Sequence, residues 1–236
     1  MKNKYQAGLV VLCLSLGLSH TAAAQRVTID YGVGYSKRSM DRVGGRSNIE
    51  NRISAGHWKM IRQNNNSGTL TTYGLKYRTL FPRYADNKPM GAVLNDWQNF
   101  RVGSTGSGQS QLSWARGRRL DLLSFVSVSG NYRGIAQGDY SVVTVGQINT
   151  HTLGHEIGHN LSATHAAGNR MVASGNNNLG RTRYTVMASG GRSNNDIIEY
   201  YSGPGRRFLG ASTGNNSNKN NVGKIRNRRV QKSRNR

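Results

Sequence analysis

The chain has a single cysteine, three prolines and four phenylalanines among 236 residues, and 10 acids stand against 33 lysines and arginines. One cysteine excludes a framework of internal disulfides. A chain of this length can bury a core without such staples, as one domain or as two closely packed subdomains. Apolar residues make up 35%, below the usual share, and 30 glycines point to a loop-rich fold rather than a disordered chain. The only long apolar run lies at the N-terminus, which excludes a polytopic membrane protein. The scarcity of acid leaves a net charge of +23. That charge favours anionic partners (nucleic acid, anionic lipid, lipopolysaccharide or an acidic protein) without choosing among them.

Residues 1–24 read as a secretory signal peptide. Lys2 and Lys4 form its charged start, residues 7–18 its apolar stretch, and Ala22, Ala23 and Ala24 a small-residue cleavage site ahead of Gln25. An apolar run of about 12 residues falls short of the roughly 20 that span a bilayer. Cys13 lies inside that run behind Leu12, where a lipid-modified cysteine would follow a small residue. Removing the segment takes away the only cysteine and two lysines, which leaves an exported, cysteine-free protein of charge +21. Such a protein rests on core packing, with or without a metal ion. Its expected place is the periplasm or the medium.

Residues 27–36 alternate β-branched and aromatic side chains and predict a first strand. Residues 49–63 place Ile49, Ile53, His57 with Trp58, and Ile61 at helical spacing, and Asn64 to Gly68 are expected to stop that helix. Strands are predicted over 70–81, 120–129, 134–136 and 142–145, and helices over 92–100 and 148–161. This alternation predicts an α/β (α+β) fold with helices layered on a mixed sheet. His57 is expected to pack on its own helix, and Trp58, Trp97 and Trp114 to make core or subdomain contacts. Residues 103–110 lack the Gly-Lys-Ser/Thr ending of a phosphate loop and read as a surface loop. Residues 215–236 carry eight lysines and arginines and no acid. They read as a solvated, partly disordered tail, with a short helix through Val222 and Ile225 as the alternative.

One stretch carries chemistry: His151-Thr-Leu-Gly-His155-Glu156-Ile-Gly-His159-Asn-Leu-Ser162-Ala-Thr-His165. On a helix, His155 and His159 lie one turn apart on one face and can grip one zinc ion through neutral imidazoles at about 2 Å. Glu156 follows on the helix, within reach of a water beside the ion. Catalytic zinc takes three protein ligands and keeps one position open. His151 shares the face, but residues eight apart on a helix are separated by about 12 Å, too far for both rings to meet one ion. Two candidates remain for the third ligand. His165 serves if the helix ends near Leu161 and the chain turns back. Glu199 serves if a later segment supplies a carboxylate, as in other zinc peptidases.

The run HEIGHNLSATH resembles the metzincin zinc motif, H-E-x-x-H-x-x-G-x-x-H. The six-residue gap after His159 matches that motif and so favours His165. Tyr184-Thr-Val-Met187-Ala-Ser resembles the Met-turn that lies beneath the zinc in this family. The order of elements, together with Tyr200-Tyr-Ser-Gly-Pro204, is similar to the reprolysin (adamalysin-like) branch, particularly bacterial peptidyl-Asp metalloendopeptidases. The resemblance covers most of the chain after residue 24. It implies a twisted mixed sheet with an antiparallel edge strand, two long helices and a smaller irregular C-terminal subdomain. The division implied is a catalytic domain over 25–214, split into 25–161 and 162–214, followed by the basic tail over 215–236.

The resemblance further implies a zinc-dependent endopeptidase, with zinc on His155, His159 and His165 and Glu156 as general base. Gly134, Ile135 and Ala136 would bind an extended protein or peptide substrate by strand addition. Residues 188–191 would line the pocket beyond the cleaved bond, and Met187 would form the apolar base under the metal. The chain departs from the pattern at Ser162, which replaces the turn glycine, and at Ala166, which replaces an Asp that often follows the third histidine. A serine there either costs on the order of 1 kcal/mol at positive φ or forces a different turn. Latency through a cysteine switch is excluded once Cys13 is removed, and no prodomain is expected. A second class of function stays open: a secreted basic binding protein, held on nucleic acid or an anionic envelope by its tail, that retains a zinc site with little peptidase activity.

Overall fold

The computed structural model describes residues 25–128, 132–172, 180–188 and 195–233. The signal-peptide reading falls on residues 1–24, outside the described residues. In chain order the elements are β1 (Val27–Ser36), α1 (Lys37–Arg42), α2 (Arg46–Ser67), β2 (Thr71–Phe81), α3 (Met90–Gln98), α4 (Gln111–Gly117) and β3 (Leu122–Ser127). They continue as β4 (Gly134–Gln137), β5 (Tyr140–Thr144), α5 (Thr152–Asn160), β6 (Arg170–Val172), β7 (Thr182–Tyr184), β8 (Arg207–Phe208), β9 (Ala211–Ser212) and α6 (Asn221–Ser233).

The fold is mixed α/β. Five strands form one sheet in the order β2-β1-β3-β5-β4. All neighbours in it run parallel except β4, which pairs antiparallel with β5 and forms one edge. The sheet is covered on both faces. On one face Tyr31, Val33 and Tyr35 of β1 pack with Ile49, Ile53 and Met60 of α2 and Leu153 and Ile157 of α5. On the other, Phe81, Trp97, Trp114 and Phe125 form an aromatic cluster under α3 and α4. The alternate residues of β1 on that face are Gly32 and Gly34. A Cβ at Gly34 would come within 2.8 Å of both Phe81 and Trp97, so only glycine lets the rings lie against the strand. β3 is buried at all six positions, which matches its near-continuous apolar sequence.

The helix α2 runs to Ser67 and ends at Gly68 in the left-handed region (φ 64). Asn64, Asn65 and Asn66 therefore lie within the helix rather than stopping it. Asn64 is tolerated because both ends of its amide are bonded: it donates to the Met60 carbonyl (2.9 Å) and accepts from Thr69 Oγ1 (2.7 Å). The helix α5 has nine residues and is shorter than the spacing predicts. Residues 148–151 form turns instead, with the Ile148 carbonyl resting on α2 where a Cβ at Gly56 would meet it at 2.0 Å. Of the two helices expected to be long, α2 has 22 residues and α5 nine. Trp58 corrects the expectation for the tryptophans: Trp97 and Trp114 are buried, whereas Trp58 is 60% exposed.

The basic tail forms a helix rather than a solvated strand of charge. In α6, Val222 and Ile225 are buried in the main core. Its cations find acceptors in open chain ends. Arg226 Nε donates to the Gly68 carbonyl at the C-terminus of α2 (3.1 Å), where a cation is favoured by the helix dipole. Arg229 reaches the carbonyls of Leu70 and Gln25, and Lys232 pairs with Asp139. Among the described residues, no helix is long and apolar enough to cross a membrane.

Candidate metal centre

The helix α5 presents two different faces. Leu153 and Ile157 point into the core, which leaves His155 and Glu156 toward a cleft, with His159 one turn on from His155. Asn160 ties the helix to the edge hairpin by donating to the carbonyls of Gly138 (2.9 Å) and Tyr140 (3.0 Å). The helix then closes with paired bonds, Ala163 N–H to the Gly158 carbonyl (2.9 Å) and Ser162 N–H to the His159 carbonyl (2.9 Å). This closure requires its pivot residue to be left-handed, and Ser162 is, with φ 66. The serine therefore keeps the turn geometry that a glycine would give. The chain reverses there and returns His165 to the face of α5.

Three imidazoles meet as a result. The Nε2 of His165 lies 2.9 Å from that of His155 and 3.1 Å from that of His159. His155 Nδ1 faces the Val186 carbonyl (2.7 Å) and His159 Nδ1 the Ala163 carbonyl (3.0 Å). A carbonyl only accepts, so both rings carry their proton on Nδ1 and turn an Nε2 lone pair toward the common point. One N–H on His165 can satisfy only one of those lone pairs. A cation at the centre satisfies all three. Donors about 2 Å from a tetrahedral ion stand roughly 3.3 Å apart, close to the separations seen. His155, His159 and His165 thus form a group that could hold a metal ion.

Burial supports the neutral form of these histidines. It is the main reason that His155 is lowered to about 4, and it lowers His159 in the same way, ahead of the neighbouring imidazoles. Neutral imidazole is the form that binds metal. Glu156 is 4% exposed, and its burial pushes the carboxyl up to about 8. A carboxyl held near neutrality is suited to taking and giving a proton.

The cleft has a volume of about 320 Å³. Its walls include Tyr132, Gly134, His151, Glu156, Ala188 and Ile197. A Cβ at Gly134 would fall 2.6 Å from Glu156 Oε1, so the glycine is what lets the edge strand close on the carboxyl. Ile135 and Ala136 follow Gly134 along β4 at the sheet edge. Met187 is fully buried in the turn from Thr185 to Ala188, and its Sδ lies where a Cβ at Gly158 would meet it at 2.9 Å. It therefore packs against α5 at Gly158. Of the pocket residues expected over 188–191, Ala188 lines the cleft, and 189–191 lie outside the described residues.

Two histidines and one acid stand apart from the metal group. His151 precedes α5, lines the cleft and bonds Gln63 Nε2 through Nδ1 (3.0 Å). His57, half-buried on α2, meets the Tyr31 hydroxyl through Nδ1 (2.8 Å). Glu199, the alternative third ligand, is instead forked by Arg62 at 2.8 and 3.0 Å. That guanidinium is the first cause holding its carboxyl below the ordinary range. Sequence reasoning misses the Val186 carbonyl, because a main-chain acceptor leaves no trace in residue type. It also misses Tyr132, whose 67% exposure at the cleft mouth is a tertiary property.

No protein-family model matches the chain, and no curated protein matches it either. A chain in a solved structure of a chaperone-substrate complex superposes with a TM-score of 0.68 at 14% identity. The match covers 89% of this chain and 35% of that one, so this chain spans about a third of its neighbour's length. At that identity the likeness is one of fold.

Proposed function

We propose that this protein is an exported zinc-dependent endopeptidase of the metzincin type, nearest in pattern to the reprolysin branch. The observation that carries the reading is the convergence of three imidazoles, a buried carboxyl and an open sheet edge on one cleft. Zinc, the metal suited to three neutral imidazoles with a fourth position open, would supply a Lewis acid that brings a water toward a pKa of about 7 and polarises the scissile carbonyl.

The chain's own groups do the rest. Glu156, whose carboxyl lines the cleft beside His155, takes the water's proton and hands it to the leaving amine. Gly134, Ile135 and Ala136 offer the main chain of an edge strand to an extended substrate. Met187 and the turn around it back the metal-binding helix. His155 and His159 are kept in register by the carbonyls of Val186 and Ala163.

A second basin of about 560 Å³ adjoins the cleft through Tyr132 and Arg133. Arg42 and Arg52 also line it, and no carboxylate among the described residues does. This supports a preference for acidic substrates. The rival reading, a binding protein held by a free basic tail, has less support, since Lys219, Lys224, Arg226, Arg229 and Lys232 already bond acceptors within the fold.

The test is cleavage of casein by the purified protein, with and without a chelator, beside Glu156→Ala. Chelator-sensitive cleavage that the variant loses while keeping its metal supports the reading. Equal activity in the variant removes Glu156 from the mechanism.

A further inference from the structure

Of the three histidines, only His165 lies off a regular element, and its side chain is exposed. Its position is therefore set by the backbone of residues 163–167. That loop is held from outside by side chains far along the sequence. Thr164 N–H donates to Asn221 Oδ1 at 2.8 Å, and Asn221 Nδ2 donates to the Thr164 carbonyl at 3.1 Å. The Thr164 carbonyl shares a peptide plane with the His165 nitrogen, so one amide fixes the orientation at which the ligand residue begins. On the far side Ser202 Oγ donates to the Ala167 carbonyl and accepts from Asn221 N–H (3.2 Å). Asn221 and Ser202 are both fully buried. Lys224 Nζ reaches Thr164 Oγ1 (3.1 Å) and Lys219 Nζ the Ala166 carbonyl (2.9 Å).

We infer that Asn221, seconded by Ser202, is the positioning residue for the third metal ligand, which makes the C-terminal helix α6 a working part of the metal centre. The inference rests on the reading of His165 as a ligand. Asn221 suits the task because a carboxamide carries a donor and an acceptor together, as the two groups of Thr164 demand. It opens α6, whose Val222 and Ile225 are anchored in the core, so the bracket is fixed to the sheet rather than to a mobile end.

The test measures zinc affinity of the full protein by competition with a chromophoric chelator, for the parent, Asn221→Ala, Asn221→Asp and Ile225→Ala. Partners of a metal ligand typically contribute about 10–100-fold to affinity, and that loss is expected for Asn221→Ala. Asn221→Asp loses the donor and sets an anion against a carbonyl, so it weakens binding as well. Ile225→Ala loosens the same helix without touching the loop, so its affinity stays within about twofold of the parent although its melting temperature falls. The visible spectrum of bound cobalt is the second readout, because it follows ligand geometry and not global stability. It changes in Asn221→Ala and is unchanged in Ile225→Ala. Parental affinity and spectrum in Asn221→Ala, or an equal loss in Ile225→Ala, overturn the inference and leave the peptidase reading standing. Zinc binding that Asn221→Ala weakens, in a parent that cleaves no protein, upholds the inference and overturns the peptidase. A parent that binds no zinc overturns both.

Discussion

Ser162 sits at φ 66, at the pivot that returns His165 to His155 and His159, and its side chain is exposed. Replacing it by glycine removes the left-handed penalty of an L-residue, about 1–2 kcal/mol. Glycine also frees the unfolded chain, which offsets about 0.4–1 kcal/mol. The difference predicts a gain of roughly 0.5–1 kcal/mol for Ser162→Gly, or a rise of about 1–4 °C in Tm for a chain of this size. Ser162→Val adds a β-branched side chain to the same conformation and is expected to lose about 1–2 kcal/mol. Urea unfolding of the three proteins at matched zinc concentration is the assay, with an unchanged m-value showing that only stability moved. Because the serine already holds the required turn, zinc affinity should change little in Ser162→Gly. A glycine variant less stable than the parent, or a valine variant as stable as the glycine one, would refute the account of this turn.

Other perturbations separate the parts of the structure. Trp97→Ala, in the aromatic cluster, is expected to cost about 3–5 kcal/mol in chemical denaturation, while Trp58→Ala, at an exposed site, stays within about 0.5 kcal/mol. Gly134→Val would force a side chain into Glu156; kcat/KM on casein should fall at least about tenfold, and unchanged kinetics would contradict the fit of β4 to the carboxyl. Glu199 has a depressed folded pKa, so the Arg62 pair contributes stability above the unfolded glutamate value of about 4.3 and loses it as pH falls through the folded value. Arg62→Ala should therefore cost less than about 1 kcal/mol at pH 7, given the exposure of the pair, and nothing in acid. A cost that persists at pH 2 would assign the effect to packing instead.

Much of the sheet and the histidine group is legible in the residues themselves. The β-branched and aromatic run of β1 is buried at all six positions from Tyr31 to Ser36, and Ile49 and Ile53 mark the buried face of α2, on which Met60 rather than Ile61 is the next fully buried apolar side chain. His155, His159 and His165 are legible because their grouping follows from local spacing plus one turn. The short helices α1 and α4 are not, since six or seven residues show too little periodicity. Their signal lies in the caps, where Ser36 and Ser110 accept from the N–H three residues on. The tail misleads because its charge density hides how many carbonyls α6 covers. Asn221 and Ser202 are invisible for a related reason: they reach residues 57 and 35 positions away.

The central claim is that His155, His159 and His165 bind one zinc ion. Zinc content per chain after equilibrium dialysis, measured on the parent, His165→Ala and Glu199→Ala, tests it most directly. The account predicts one zinc per chain in the parent and in Glu199→Ala, and loss of bound zinc in His165→Ala. A parent without zinc, or a His165→Ala variant that keeps it, would contradict the account.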